Sequence, residues 1–380
     1  MDNVQFLDQF NIGMANDRLD ARLNPCRIGL KIAGPTVSAR IFMKEPIMDV
    51  VRLGVVGPGL IWRNVHRGIL EKRKDTFRIS AFCASSESTR KRIKSEYPQA
   101  AVFEKYEDLV ASPIVDCVLV LTPIALNATV TIAALRAGKD VFVEKPLATN
   151  SEDCRKIIAE SKRSGRKVIV LEQDRYSPMY RALRELLQAK AIGDIVMWDK
   201  LNHSVLGAVG DVSLGYGGTE WRKNADFPLG SLMDGGIHDI ALVSGLFGPP
   251  QKLIARGKKC RPGFGEYDSV SVMMTYPENR VGMLSHSGYL LPDANYFHIR
   301  GTDGVITADE KVVAHTREGK TREIELGTAT DYESMWLSIE DSITHGAPLP
   351  YPLEEAAKDI ATCEAIEKSI KSEKEVHLTD

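Results

Sequence analysis

Between residues 51 and 171 the chain repeats one pattern: a short apolar run, then a longer mixed stretch closed by a turn or cap signal. The apolar runs are VRLGVV (51–56), FRISAFC (77–83), VDCVLVL (115–121), VFV (141–143) and KVIVL (167–171). Their near-continuous hydrophobicity predicts strands buried on both faces, as in a parallel sheet. The mixed stretches predict helices over 60–70, 87–96 and 127–137, and one from Thr149-Asn150-Ser151 to near Gly165. Asn127 can cap the third helix, which Gly138 closes. Strand and helix in alternation mean βαβ units.

After Pro178 the pattern changes. A helix over 179–188 leads to apolar runs at 195–206, 253–257, 269–276, 280–289 and 296–301. Successive strands without helices between them predict an antiparallel or mixed sheet, hence a second, α+β domain. Helices over 331–344 and 353–372 end the chain. Glu354 and Glu355 near the start of the last one, and Lys368 and Lys371 near its end, suit the helix dipole. The expected division is an extension (1–49), a dinucleotide-binding domain (50–172), a substrate domain (173–330) and C-terminal helices packing back on the body (331–380). Within the extension, two β-like runs flank Gly34-Pro35. Because the regular pattern starts only after Met48, residues 1–47 are expected to be dispensable for catalysis.

Composition narrows the function classes. Lys and Arg number 49 against 51 Asp and Glu, and no long basic run occurs, which argues against a nucleic-acid or membrane-surface partner. No stretch approaches the ~18–20 apolar residues of a membrane span. The first residues carry an early acid and no apolar core, unlike a secretory signal. Six cysteines are scattered without C-x-x-C pairs, so a reducing cytoplasm is expected and no metal site is suggested.

Three stretches carry candidate chemistry. After the first strand come Gly57, Pro58 and Gly59, then Leu60 and Ile61 opening a helix. Gly57 permits a tight turn, Gly59 lets backbone approach a pyrophosphate, and the helix start offers free N–H groups. Strand, turn and helix together are a dinucleotide loop of the Rossmann type, although Trp62 occupies the place of the third glycine. The helix must therefore start differently or tilt. At the end of the second strand an NAD enzyme would carry an acid. Here stand Ala84, Ser85 and Ser86, with Glu87, Arg90 and Lys91 behind. Hydroxyls and cations suit a 2′-phosphate, which puts NADP slightly ahead of NAD, although Glu87 could serve NAD in place of the missing acid; the serines are equally a helix N-cap.

The second stretch, Val141-Phe142-Val143-Glu144-Lys145-Pro146, puts a charged pair at a strand end, where open α/β sheets bind ligands. The plain alternative is a solvated lysine. The third is Gly230-Ser231-Leu232-Met233-Asp234-Gly235-Gly236-Ile237-His238. Asp234 and His238, four apart, share a helix face, and the glycines between them imply a close approach of ligand or backbone. A structural Asp–His pair and two ligands of a metal are the alternatives.

In order along the chain, Gly57-x-Gly59, Thr122-Pro123, Ala137-Gly138-Lys139-Asp140-Val141, Glu144-Lys145-Pro146 and Arg175-Tyr176-Ser177-Pro178 resemble the glucose–fructose oxidoreductase / inositol dehydrogenase (Gfo/Idh/MocA) family. The resemblance implies an α/β fold: an N-terminal Rossmann domain, then an α+β domain with a large, mainly antiparallel open sheet that serves as an oligomer surface. It implies that Lys145 faces the nicotinamide, that the Lys145–Pro146 peptide is cis, and that Glu144 contacts the cofactor ribose. Thr122 and Pro123 join the cofactor site. So do Asn127, where many members have His, and Gln173, where many have Asn. Asp234 and His238 would line the substrate pocket opposite Lys145, bordered by Trp221-Arg222 and Arg175. Trp221-Arg222 is otherwise a loop cation packed on an aromatic ring.

The expected activity is NAD(P)-dependent hydride transfer to or from a secondary alcohol of a sugar, inositol or related polyol. Lys145 and His238 are the proton carriers, and Asp234 orients His238 or binds a substrate hydroxyl. The expected partners are that small molecule and copies of the same chain, as a dimer or tetramer. The alternatives are a cofactor-binding regulator, like the family's galactose-regulon repressor, and a reductase of a non-sugar electrophile, as in the related biliverdin reductases.

Overall fold

The computed structural model describes residues 50–205, 216–260, 263, 265–309 and 311–378. The extension 1–49, and with it the expectation about residues 1–47, lies outside them. The apolar runs of the first half become a six-stranded sheet. It comprises β1 (Val51–Val56), β2 (Phe77–Cys83), β3 (Ala101–Phe103), β4 (Cys117–Val120), β5 (Asp140–Glu144) and β6 (Val168–Leu171). All pairings are parallel, in the order β3-β2-β1-β4-β5-β6. The order reverses between β1 and β4, so a crevice opens there at the carboxyl ends of the strands.

The helices of this half are α1 (Arg67–Glu71), α2 (Glu87–Glu96), α3 (Tyr106–Ala111), α4 (Ile124–Arg136) and α5 (Ser151–Ser164). The helix expected over 60–70 begins as a π-helical turn, Trp62–His66, and only then becomes α1. Trp62 is the reason. Its indole is fully buried and packs edge-on against Phe82, ring centroids 5.4 Å apart. A wider turn makes room where a glycine would have let the helix lie close. The helix expected to start at Asn127 starts at Ile124 instead, with Pro123 as its N-cap residue, so Asn127 is interior and buried. Ser86 caps α2 by accepting the N–H of Thr89 at 3.5 Å.

Beyond α6 (Pro178–Gln188) lies a second sheet. Its strands are β7 (Ile195–Val205), β8 (Lys252–Lys258), β9 (Ser269–Thr275), β10 (Val281–Ser287), β11 (Tyr289–Gly301), β12 (Gly304–Ala308), β13 (Val312–Arg317), β14 (Lys320–Glu325) and β15 (Val376–His377). The order is β14-β13-β12-β11-β7-β10-β9-β8-β15. β10 and β7 run parallel; β10–β9 and β11–β7, on either side of them, are antiparallel. Strands β3, β12, β13, β14 and β15 were not legible as apolar runs: β14 is exposed along its whole length and β15 has two residues. One face of the sheet is core, where Trp198 stacks on Phe247 at 5.4 Å. The other face exposes Val196, Met273, Met283 and Tyr296.

The remaining helices are α7 (Glu220–Lys223), α8 (Ile237–Phe247), α9 (Asp331–His345) and α10 (Leu353–Ser372). A π-helical turn, Leu232–Gly236, leads into α8. From α9, Trp336 enters the first sheet's core, with its ring centroid 5.4 Å from Phe77 and 5.6 Å from Phe142. Among the described residues, no helix is long and apolar enough to cross a membrane.

Candidate active site

A cavity of about 780 Å³ opens at the β1/β4 crevice. One wall is Gly57, Pro58, Gly59, Leu60 and Ile61; another is Ala84, Ser85, Ser86 and Thr89; Leu121, Thr122, Pro123 and Ile124 form a third. Glu144 and Lys145 stand at the strand end of β5. Facing them are Tyr216, Thr219, Trp221, Arg222, Asp234, Gly235, His238 and Tyr332.

The glycine turn is steric necessity. Gly57 has φ +83°, and a Cβ there would lie 2.7 Å from the Leu121 carbonyl oxygen, a conformation and a contact that side chains do not tolerate. Lys145 is presented by the cis Lys145–Pro146 peptide, and Asn127 holds that turn. Its Nδ2 donates to the carbonyls of Glu144 and Pro146 at 2.9 and 2.8 Å, while its Oδ1 accepts from Thr122 Oγ1 at 2.8 Å. Asn127 therefore sits behind the wall, not in it.

Glu144 is 6 % exposed. Its Oε1 lies 2.9 Å from His66 Nε2, and Trp336 Nε1 donates to His66 Nδ1 at 3.1 Å. An indole nitrogen only donates, so His66 Nδ1 is the acceptor and the ring's hydrogen sits on Nε2, aimed at Glu144. Neither His66 nor Trp336 stood out in the sequence. Their partners are 78 and 270 positions away, and neither lies in a recognisable motif.

Lys145 Nζ donates to the Asp234 carbonyl at 2.7 Å and lies 3.8 Å from its Oδ1. Arg222 clamps the same carboxylate, Nε to Oδ2 at 2.5 Å and Nη2 to Oδ1 at 3.2 Å, with its guanidinium 4.1 Å over the Trp221 ring. Burial alone would raise the Asp234 pKa, but Lys145 and Arg222 hold the carboxyl below its ordinary value. Asp234 does not orient His238. That ring's Nδ1 is 2.6 Å from Glu172 Oε1, a fully buried carboxylate on the segment after β6. Burial opposes a charge on His238, yet Glu172 raises its pKa above the ordinary 6.5. Burial, reinforced by Glu172, also pushes Asp174 up to about 7. Of the two glycines in the stretch, Gly235 lines the cavity. Gly236 packs on the His286 ring, 2.9 Å from where a Cβ would stand.

Four expected site residues lie elsewhere. Arg175 is 2 % exposed. It bonds Glu355 at 2.6 Å and the Pro350 carbonyl at 2.8 Å between the rings of Tyr180 and Tyr351, outside the cavity lining. Arg90 turns back to the carbonyls of Ala84 and Ser85 at 2.9 and 2.5 Å and to Glu104 at 3.1 Å. Gln173 lies beside His238, its Nε2 3.3 Å from Nδ1, and Asn127 behind the Lys145 turn. Thr89, Tyr216, Thr219 and Tyr332 join the lining without a sequence signal.

The comparisons with known proteins agree with this architecture. Residues 51–172 match the oxidoreductase family with an NAD-binding Rossmann fold, and residues 180–307 match the GFO/IDH/MocA C-terminal domain. A scyllo-inositol 2-dehydrogenase (NADP(+)) from Bacillus subtilis is 22 % identical over 87 % of this chain and 97 % of its own length. The trans-1,2-dihydrobenzene-1,2-diol dehydrogenase of Sus scrofa is 26 % identical over 67 % of this chain and 73 % of its own. The crystal structure of an oxidoreductase from Thermotoga maritima superposes with a TM-score of 0.78 at 28 % identity, covering 87 % of this chain and 98 % of that one. The chain belongs to the GFO/IDH/MocA family of NAD-binding oxidoreductases.

Proposed function

We propose that this protein is an NAD(P)-dependent dehydrogenase/reductase acting on a secondary alcohol, or the matching ketone, of a sugar, inositol or related polyol. The observation that carries the reading is one cavity holding both a glycine loop and the group Lys145, Asp234 and His238. The residues fit a dinucleotide. A cradle that a Cβ would fill lies at Gly57, and the buried carboxylate Glu144, oriented by His66, sits at the strand end. Gly57, Pro58, Gly59, Leu60 and Ile61 would hold the pyrophosphate, Thr122, Pro123 and Glu144 the nicotinamide riboside, and Ser85 and Ser86 the adenosine end. When bound, the cofactor accepts or gives the hydride.

The protein's own side chains handle the oxygen. Lys145 and His238 can each bind it and take or return its proton, and Lys145 can also steady its negative charge. Asp234, kept ionised by Arg222, accepts a neighbouring hydroxyl of the substrate. Trp221 borders that end of the cavity and, with Arg222 stacked on it, would pack against the substrate. Both named relatives act on hydroxylated rings, which supports a cyclic polyol.

NADP is favoured slightly over NAD. The lining at the end of β2 is Ala84, Ser85, Ser86 and Thr89, without a carboxylate, and Arg63 is one of the cations lining the same cavity. Glu87 is paired with Lys91 at 2.8 Å instead. Buried unpaired thiols at Cys83, Cys117, Cys154 and Cys363 fit a reducing cytoplasm. The exposed Met273, Met283, Val196 and Tyr296 fit a dimer or tetramer formed through the second sheet.

Fluorescence titration with NAD and NADP, followed by a panel of inositols, sugars and diols read by nicotinamide absorbance, tests the reading. Turnover of a polyol with either cofactor is expected. Binding without turnover of anything would make the protein a regulator, and turnover of enones or pyrroles alone would make it a reductase of a non-sugar electrophile.

A further inference from the structure

Glu172 closes β6 and caps the turn Gln173–Tyr176 with no exposure to solvent. Carboxylates are rarely buried so completely unless they are paired. Its Oε1 accepts the Asp174 N–H at 3.2 Å and faces His238 Nδ1 at 2.6 Å. A carboxylate only accepts, so the hydrogen of this short contact belongs to Nδ1. The ring's other nitrogen, Nε2, then carries the lone pair; the Gln173 amide nitrogen lies 3.4 Å from it, and His238 lines the cavity beside Lys145 and Asp234.

We propose that Glu172 is the positioning residue for His238: it fixes the ring hydrogen on Nδ1, reserves Nε2 for the substrate oxygen, and stabilises the imidazolium formed when the ring takes that oxygen's proton. This rests on the function proposed above. In alcohol oxidation the O–H bond breaks and its proton forms an N–H bond at His238 Nε2. The carbon's hydride would pass to a bound nicotinamide, leaving C–O as C=O. Reduction runs the same exchanges backwards. A carboxylate behind a histidine is worth most when it sets both tautomer and charge.

The surrounding charges bear on the same ring. From the end of β5, Lys145 opposes a charge on it, while Glu172 and Asp174 favour one. Asp234, one turn earlier, is itself held by Lys145 and Arg222. Asp331, from α9, and Asp239 act on Asp174, and Tyr332 senses both Glu172 and Asp174. Asp239 is further engaged by Lys200 and His286. Ligand-type atoms of Glu172, Asp174 and His238 also lie within 4.8 Å of one another, a spacing that a metal could use, so the experiment must separate the two roles.

The test is a titration of the full-length protein with ¹⁵N-labelled histidine, followed by NMR in wild type and Glu172→Gln, with His238→Gln assigning the resonance. Wild-type His238 should carry its hydrogen on Nδ1. Its midpoint should fall by about one pH unit or more in Glu172→Gln, because an adjacent opposite charge has gone. The acid limb of kcat/KM for alcohol oxidation should move down with it, with cofactor Kd within about twofold of wild type. Glu172→Asp, which keeps the charge, should retain most of the wild-type midpoint. It also carries the test if Glu172→Gln does not fold, since a hydrogen found on Nε2 in wild type or in Glu172→Asp would overturn the proposal. So would an unmoved midpoint in folded Glu172→Gln. One bound metal ion per chain, needed for activity, removed by a chelator and lost in Glu172→Gln, would make the cluster a metal site and also overturn it. The NMR arm needs no substrate, so a silent polyol panel would defeat the proposed function without deciding on Glu172.

Discussion

Lys145→Ala is the sharpest perturbation of the proposed site. The ammonium donates to the Asp234 carbonyl at 2.7 Å and sits 3.8 Å from its carboxylate. Such a charge-assisted bond is worth roughly 1.5–3 kcal/mol when its partner is stranded. Here Asp234 lines the cavity, and Arg222 keeps two bonds to its carboxylate. The net stability change should therefore stay within about 1 kcal/mol, a shift of only a few degrees in Tm. Chemistry should suffer far more. A group that moves a proton, or holds the charge developing on oxygen, contributes typically ~10²–10⁴ in rate, equivalent to roughly 3–5 kcal/mol of barrier. Cofactor Kd should change by no more than about threefold, some 0.7 kcal/mol. The assay is steady-state turnover with the best polyol, together with cofactor titration and thermal melting on the same preparations. Lys145→Met, closer in volume, controls for the lost packing. Near-wild-type kcat in a folded Lys145→Ala would refute the reasoning, as would a loss confined to cofactor binding.

Other outcomes follow from single contacts. Gly57→Ala forces a side chain into φ +83° and against the Leu121 carbonyl. It should cost about 1–2 kcal/mol in backbone strain and weaken cofactor binding at least tenfold. Gly59→Ala, whose nearest neighbour would be 3.8 Å away, should keep the wild-type Tm, and equal Tm losses in the two would contradict this. Trp336→Phe removes the donor to His66 Nδ1 and strands a buried acceptor, for about 1–3 kcal/mol. Because Glu144 then loses its fixed donor, cofactor Kd should rise severalfold, and an unchanged Kd would break that link. Burial raises Asp359 from 3.8 to about 7 in the fold. A raised carboxyl leaves stability untouched below its unfolded value and lowers it as pH climbs towards the folded one. At about 1.4 kcal/mol per pH unit the penalty reaches roughly 4 kcal/mol above pH 7. Asp359→Asn should thus gain stability relative to wild type between pH 4 and pH 7 by urea denaturation, and a pH-independent difference would rule the buried acid out.

Much of this protein was legible from local pattern because its causes are local. Runs such as 115–121 and 167–171 reveal a parallel sheet, since strands buried on both faces need apolar residues throughout. The glycine turn, the charged pair Glu144-Lys145 and the Asp234/His238 stretch announced themselves because tight turns, strand ends and close approaches each demand particular residue types. Even the irregular start of the first helix followed from Trp62 standing where a glycine was wanted. Hydrophobic periodicity could not reveal β14, which is exposed on both faces. What a charged or polar side chain faces was decided only by tertiary structure. Arg175, two residues beyond Gln173, turned to Glu355, and Arg90 to its own loop. Asn127 braced the Lys145 turn from behind. Asp234 paired with Arg222 rather than with the histidine four residues on, and His238 found Glu172, 66 positions back. The physical reason is range. Propensity, capping and turn chemistry act over a few residues, whereas a buried charge takes whichever partner the packed fold brings within about 3 Å.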